Sequence, residues 1–393
     1  LVVRTAEAFR KKSGIDVCLE HRVEAIDIGA SCVTGRGPDG KAFSFPYDRL
    51  LIATGAAPKV PQRPGFDRPE VVVVKTLEDA LVIKTRLQSG GVKSAVIMGM
   101  GYIAMEMVEA LRIRGIAVTM VKPRPEILPW LDAELAASVR QELEAHQVQL
   151  RTDFDVTRIE EGPDGQLTLV DAGGTPLAAD LAVVAIGIQP NNRLAAEAGL
   201  QLGPAQSIAV DRQLRTSHPM IYAAGDCADA FHVVTGQRAW IPLALRANRA
   251  GWAVADHLCG KEVALQGIAG TAVFKVFDLQ VARTGLSVAE ALGAGFDPAT
   301  VTITASSRAH SHPGATPIQV HMVGDKRSGR LLGAQMVGRE GAAHRINAPA
   351  VALHAALTVE QFSQTDLAYA PPFGPTWDPL LVAANQLLKK MKE

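Results

Sequence analysis

The sequence predicts an α/β protein, and three observations carry that reading. Short apolar runs bounded by Gly, Pro and Asp alternate with helix-period segments along the chain. Three of those runs end in a glycine turn: Leu50–Ala53 in Thr54-Gly55, Ser94–Met98 in Gly99-Met100-Gly101, and Ile221–Ala224 in Gly225-Asp226. Beyond Gly267 the texture changes to strand-rich sequence that carries no cofactor motif of its own.

The elements follow in order. Thr5–Lys12 reads as a helix, followed by strands near Ile15–Leu19, Val23–Ile28 and Ala42–Phe45 and a buried strand at Leu50–Ala53. A helix at Leu77–Leu87 leads into the strand Ser94–Met98, the helix Tyr102–Arg114 and the strand Ile116–Val121. Leu167–Asp171, Leu181–Ile188 and Ile221–Ala224 read as further strands, and Ala244–Leu258 as a long helix. After a boundary near Gly267–Gly270, strands are expected near Thr271–Phe277, Val301–Thr304, Ile318–Met322 and Leu331–Val337. Helices are expected near Ala350–Ala356 and Leu380–Lys390. No short-period repeat and no low-complexity stretch interrupts this order.

Length and composition narrow the function classes. The 393 residues suffice for two to three domains, at roughly 100–200 residues each. Forty Lys and Arg offset forty Asp and Glu, so no net charge draws the chain to nucleic acid or anionic lipid. The apolar run Leu181–Ile188 falls far short of the ~20 residues that span a bilayer. Leu1-Val2-Val3-Arg4 runs into a polar helix, without the pattern of a secretory leader. Cys18, Cys32, Cys227 and Cys259 lie far apart with no CxxC pair, which argues against a zinc site or a disulfide scaffold. The chain therefore reads as a soluble, cytoplasmic protein. Because it opens on Leu1 and not on Met, it also reads as a fragment or a processed form.

The densest signal lies at residues 94–124. Gly99-Met100-Gly101-Tyr102-Ile103-Ala104 is a GxGxxA motif inside a complete βαβ frame, with Ile103, Met107, Ala110 and Leu111 at helical spacing and Gly115 as the stop. Gly99 permits the tight turn, Gly101 lets backbone approach a pyrophosphate, and Ala104 allows close helix–strand packing. The pattern points to a nicotinamide dinucleotide; the plainer alternative is a tight strand–helix turn alone. At the end of the second strand, where an NAD site usually carries an acid, stand Lys122, Pro123 and Arg124. Two cations would attract a 2′-phosphate, so NADPH is expected in preference to NADH. The alternative is that both are solvated surface charges. Further on, Asp226 follows Gly225 at a strand's C-terminal end, where it could accept hydrogen bonds from a polyol.

Taken together, Ala53-Thr54-Gly55, the GxGYIAxE run through Glu106, Gly187-Ile188-Gln189-Pro190-Asn191 and Tyr222-Ala223-Ala224-Gly225-Asp226 resemble the FAD-dependent pyridine nucleotide-disulfide oxidoreductases. Pro313–Pro317 and Leu367–Phe373 (LAYAPPF) are similar to the dimerisation domain of the coenzyme A-disulfide reductase, persulfide reductase and NADH oxidase branch. The resemblance implies two nested Rossmann-like dinucleotide-binding domains, for FAD and NAD(P), followed by an α+β dimerisation domain. By position, residues 1–75 and 193–267 would form the FAD-binding domain, N-terminally incomplete. Residues 76–192 would form the NAD(P)-binding domain, and 268–393 the dimerisation domain.

The resemblance also implies roles. Asp226, with Gly225, would bind the flavin ribityl chain, Ala53, Thr54 and Gly55 would lie against the FAD, and Leu243, Ala244 and Leu245 would face the flavin pyrimidine. A helix N-terminus there would favour negative charge on reduced flavin. Tyr102 would stack near the nicotinamide, Glu106 would lie near both rings, and Gly187 would line the NAD(P) groove. Tyr369 is the tyrosine that would reach a partner subunit's redox Cys. The family's first GxGxxG unit and that Cys are expected upstream of Leu1. None of the four cysteines takes its place: Cys18 and Cys32 read as buried small hydrophobes within strands, and no His or Lys pattern lowers a thiol pKa. Ser311-His312 stands where a second Tyr is usual, and the His310/His312 pair is read as polar surface with no metal. Phe373–Asp378 reads as dimer packing.

The function expected is therefore hydride transfer from NAD(P)H to FAD, and on to a small-molecule disulfide, a persulfide or dioxygen, in a homodimer. Two alternatives are a reductase of an electron-carrier protein and a truncated, non-catalytic NAD(P)-binding and dimerisation module.

Overall fold

The computed structural model describes residues 4–162 and 165–392. Leu1, Val2 and Val3, part of the opening segment read above, lie outside the described residues. The chain divides into two compact units. One comprises Leu1–Ala56, Pro190–Phe231 and Arg238–Gly267, the other Ala57–Gln189, His232–Gln237 and Ile268–Glu393.

In the first unit, Leu50–Ile52 pairs in parallel with Ile221–Ala223. Around that pair Ile52, Ile208, Val210, Ile221, Ala223 and Val254 form a buried apolar cluster. The helix Ala244–Leu258 contributes Ala250, Ala253 and Val254 from one face, at the i, i+3, i+4 spacing of an amphipathic helix. Arg22–Asp27, Cys32–Arg36 and Ala42–Pro46 form an antiparallel meander.

The strand expected at Ile15–Leu19 is absent. Gly14 ends the helix Ala6–Ser13 in the left-handed region at φ 64°, Asp16 pairs with Arg10 at 2.9 Å, and Glu20 turns the chain again at φ 56°. Cys18 is consequently exposed, and Cys32 is half-buried, so the expectation that both are buried in strands fails.

The second unit is built on a five-stranded parallel sheet. Its order is Val71–Val73, Leu181–Val184, Ser94–Met98, Ala117–Lys122, Gln149–Thr152. Near-continuous apolar strands such as Ala95–Met98 and Leu181–Val184 are buried on both faces, as parallel strands are. The expected strand Leu181–Ile188 is two pieces, Leu181–Val184 and Ile188–Pro190, because Gly187 turns the chain at φ 111°. A helix at Ala133–Ala145, capped by Asp132, was not expected from the sequence. Residues 272–338 add an antiparallel sheet in the order Ala272–Val276, Leu279–Gly285, Leu331–Gly338, Pro317–Asp325, Pro298–Ser306. The helix Pro379–Met391 packs on its last two strands, burying Leu380, Ala384 and Leu387. Among the described residues, no helix is long and apolar enough to cross a membrane.

Candidate functional site

In the parallel sheet, Ser94–Met98 is the central strand and runs straight into the glycine turn. Gly99 sits at φ 107°, donates its N–H to the Val121 carbonyl at 2.9 Å, and leaves no room for a side chain. A Cβ there would lie 2.3 Å from the Ala185 carbonyl oxygen. Gly101 plays the opposite part. It is the N-cap of the helix Tyr102–Arg112, supplies no side-chain cap, and a Cβ on it would meet nothing within 4 Å. The first-turn N–H groups therefore face open space at the positive end of the helix, an arrangement suited to a pyrophosphate. Ile103 is half-buried and Ala104 fully buried against the sheet. Gly187 lies beyond the end of the adjoining strand, and it too has open space where a Cβ would stand.

At the end of the next strand, Lys122 points its ammonium into the following loop and donates to the Glu126 carbonyl. Burial pulls its pKa below the usual lysine range, with the Glu126 carboxylate opposing and Arg124 reinforcing the shift. Arg124 is exposed. Tyr102 is 40% exposed and rests against two aromatic rings, Trp130 at 6.0 Å and Phe274 at 5.9 Å between centroids. Glu106, one turn along, is exposed on the same face.

In the first unit, the two glycine turns stand side by side because their strands pair: Ala224 N–H donates to the Ile52 carbonyl at 3.0 Å. The Thr54 hydroxyl donates to the Asn191 carbonyl at 2.6 Å, and the Asn191 amide returns a bond to the Thr54 carbonyl at 2.8 Å. Asn191 N–H also donates to the Gly55 carbonyl at 2.9 Å. Gly55 and Gly225 are at φ 69° and 83°, each with open space where a Cβ would stand. Ala53 is exposed and Asp226 half-buried; the Trp240 indole N–H donates to the Asp226 carbonyl at 2.8 Å.

Arg246 was missed in the sequence. It is 7% exposed, and its guanidinium donates to the Gly225 and Asp229 carbonyls, tying the helix that starts at Ala244 to the Gly225 turn. Its neighbour Asp229 is buried, pairs with Arg238 at 2.8 Å, and is nonetheless pushed above the usual carboxylate pKa by burial. Leu243 caps the helix without a side-chain bond, so this N-terminus is also open, with Ala244 and Leu245 exposed beside it. Helical periodicity alone could have flagged Arg246, since it shares the buried face with Ala250 and Ala253.

Tyr369 lies exposed in the loop before the last helix, as do Phe373 and Trp377. Arg345 fixes that loop by donating to the Phe373 carbonyl at 2.7 Å and to Asp378 at 2.8 Å. Cys227 is buried, its sulfur 3.2 Å from the Ala224 carbonyl. Among the described residues, no group of three or more His, Cys, Asp and Glu could hold a metal.

Known proteins match this chain over nearly its whole length. A family profile described as pyridine nucleotide-disulphide oxidoreductase matches residues 3–251, and the dimerisation domain of the same family matches residues 271–379. The chain belongs to the pyridine nucleotide-disulphide oxidoreductases. It is 40% identical over 382 residues to a CoA-dependent NAD(P)H sulfur oxidoreductase of Pyrococcus abyssi, covering 97% of this chain and 84% of that one. A Methanocaldococcus jannaschii NADH oxidase is 31% identical over 395 residues, with coverage of 100% and 87%. The solved NAD-dependent persulfide reductase from A. fulgidus superposes with a TM-score of 0.94 at 35% identity, covering 99% of this chain and 72% of that one.

As a pyridine nucleotide-disulphide oxidoreductase the protein is an enzyme, and FAD and NAD(P)H are its cofactors. The residues present fit both: two open helix N-termini, and four glycines whose missing Cβ atoms leave space at strand ends.

Proposed function

We propose that this enzyme draws hydride from NADPH and delivers the electrons to a persulfide- or polysulfide-type sulfur, as a homodimer in the cytoplasm. The observation that carries the acceptor is graded similarity: the sulfur oxidoreductase relative is 40% identical over nearly the whole chain, against 31% for the oxidase. When bound, the flavin supplies the two-electron carrier between nicotinamide and acceptor; the protein positions and polarises.

Gly99, Gly101, Ile103 and Ala104 would seat the dinucleotide pyrophosphate on the helix N-terminus. Lys122 would turn from the Glu126 carbonyl to a 2′-phosphate, with Arg124 beside it. Tyr102, Glu106 and Gly187 would border the nicotinamide. On the flavin side, Asp226 after Gly225 would hold the ribityl chain, Ala53–Gly55 would lie along it, and the helix N-terminus at Leu243–Leu245 would favour negative charge on the reduced ring. Tyr369 would serve the acceptor from its exposed loop. In this reading residues 193–267 belong to the flavin domain, 76–192 to the nicotinamide domain and 268–393 to the dimerisation domain; the flavin boundary expected at residue 75 moves back to Ala56, because Val71–Val73 is a strand of the parallel sheet that carries the Gly99 turn.

The test is anaerobic NADPH oxidation by the purified protein with polysulfide, coenzyme A persulfide or coenzyme A disulfide, beside a run with oxygen alone. Turnover on a sulfur acceptor several-fold above the oxygen rate supports the proposal. An oxygen rate that exceeds every sulfur acceptor overturns it in favour of an oxidase. Sedimentation at micromolar concentration tests the dimer, and cell fractionation the location.

A further inference from the structure

A row of polar side chains crosses the C-terminal sheet and ends on the loop that follows Lys122. Thr302, His321 and Gln335 are register partners on three neighbouring strands. Gln335 is 3% exposed in a strand, Leu331–Gly338, that is otherwise apolar or glycine, and its amide is used at both ends. Its Oε1 accepts from the Asp132 N–H at 2.7 Å, and its Nε2 donates to the Trp130 carbonyl at 2.8 Å. His321 Nδ1 stands 2.9 Å from the Thr302 hydroxyl and 3.3 Å from the Asp132 carboxylate. Asp132 in turn caps the helix Ala133–Ala145 through a 3.1 Å bond from the Glu134 N–H.

An amide bound on both sides of residue 131 fixes the 130–132 backbone against the sheet. A methionine would fill the same space without the cost of burying an amide, so packing alone does not call for glutamine here. What the anchored backbone carries is the Trp130 ring. That ring meets Tyr102 at 67° and Phe274 at 82°, and the Arg283 guanidinium lies 5.2 Å from its centroid. Tyr102 opens the helix whose N-terminus faces the glycine turn.

We infer that Gln335 is a positioning residue for the dinucleotide: by holding residues 130–132 it sets Trp130, and Trp130 sets the Tyr102 ring at the nicotinamide end of the groove. It touches no cofactor itself. The inference rests on the reading that Tyr102 borders the nicotinamide, and the experiment separates the two.

Flavin-loaded protein is titrated calorimetrically with NADP+, which binds without reducing the flavin. Wild type, Gln335→Met, Tyr102→Ala and the double variant are compared, with thermal melts alongside. Loss of two buried hydrogen bonds is expected to weaken NADP+ binding about tenfold in Gln335→Met. The double variant is expected to bind no more weakly than Tyr102→Ala alone, since both changes act through one ring. A purely structural glutamine would lower the melting temperature and leave the NADP+ affinity where it was. If Tyr102→Ala weakens binding while Gln335→Met does not, or if the two effects add, the positioning role is wrong and the Tyr102 reading survives. If Tyr102→Ala binds as wild type does, that reading falls and this inference falls with it. Should Gln335→Met fail to fold, Gln335→Asn keeps a buried amide one methylene too short to span both partners, and is held to the same outcomes.

Discussion

The Gly99 turn and the Gly225 turn look alike in sequence, yet they are held in different ways. Gly99 is held by backbone on both sides: Val121 on the next strand accepts its N–H, and Ala185, just past the end of the other neighbouring strand, walls off its Cβ position. The Gly225 turn has open space at its Cβ position and is held by polar contacts, two of them from side chains. Ile52 accepts the preceding N–H, Arg246 binds the Gly225 carbonyl, and Trp240 binds the Asp226 carbonyl. The first turn is therefore sterically intolerant. The second depends on a few polar contacts, of which the two made by side chains can be removed singly.

That contrast predicts the largest effect at Gly99. Gly99→Val places a side chain against the Ala185 carbonyl in a backbone region that β-branched residues avoid. A loss of about 3–4 kcal/mol in urea unfolding is expected, together with loss of NADP+ binding. Gly101→Ala, with open space around its Cβ, is expected to unfold like wild type and to lose dinucleotide affinity only. Equal destabilisation by the two would erase the distinction between a packed and an open glycine.

The Gly225 turn should yield to one side-chain change. Arg246→Met leaves the Gly225 and Asp229 carbonyls without their donor, at a cost of about 2 kcal/mol. Flavin content after purification should fall, while NADP+ affinity is retained. Flavin retention at wild-type level would show that Arg246 is only a core residue.

How much of this the sequence revealed follows the same line. The GxGxxA turn, its helix and both flanking strands could be read because the motif and its flanks lie within 30 residues, although the Ala185 carbonyl that excludes a Cβ at Gly99 lies far along the chain. Ala104 is small where the structure buries it fully, and Gly99 is glycine where any Cβ would clash. The Thr54–Asn191 exchange spans 137 positions and leaves no periodic trace. Helical spacing puts Arg246 on the buried face, but the carbonyls it serves leave no trace in the sequence. Gln335 was likewise hidden, since a lone polar residue in an apolar strand has no visible partner. The strand expected at Ile15–Leu19 failed for the converse reason: apolar character predicts a strand only where a neighbour is present to pair with it.

Smaller effects sharpen the nicotinamide side. Lys122→Glu replaces a cation with a carboxylate beside the place proposed for the 2′-phosphate. The ratio of kcat/KM for NADPH over NADH should drop by about 1–3 kcal/mol, the worth of one charge-assisted hydrogen bond. An unchanged ratio would make Lys122 a loop anchor for the Glu126 carbonyl and nothing more.

The smallest effect expected is on stability in mild acid. His321 and His232 are both held below the ordinary imidazole pKa, chiefly by burial; at His321 the Asp132 and Glu134 carboxylates oppose the shift without reversing it. An unfolded chain takes up these protons near pH ~6.5, the folded one only at lower pH. Stability is thus fully present above that value and is lost as the pH falls towards the folded-state values. The melting temperature should decline below that pH, and His321→Gln should make the decline shallower. A variant with an unaltered slope would remove His321 from the account.

The central claim is that this enzyme carries electrons from NADPH through flavin to sulfur, and an anaerobic spectrum tests it most directly. Oxidised flavin absorbs near ~450 nm, and the band is lost on reduction. NADPH added without oxygen should bleach the band, faster than NADH does, and polysulfide added next should restore it. Bleaching by neither nucleotide, or a colour that returns only when air is admitted, would contradict the account.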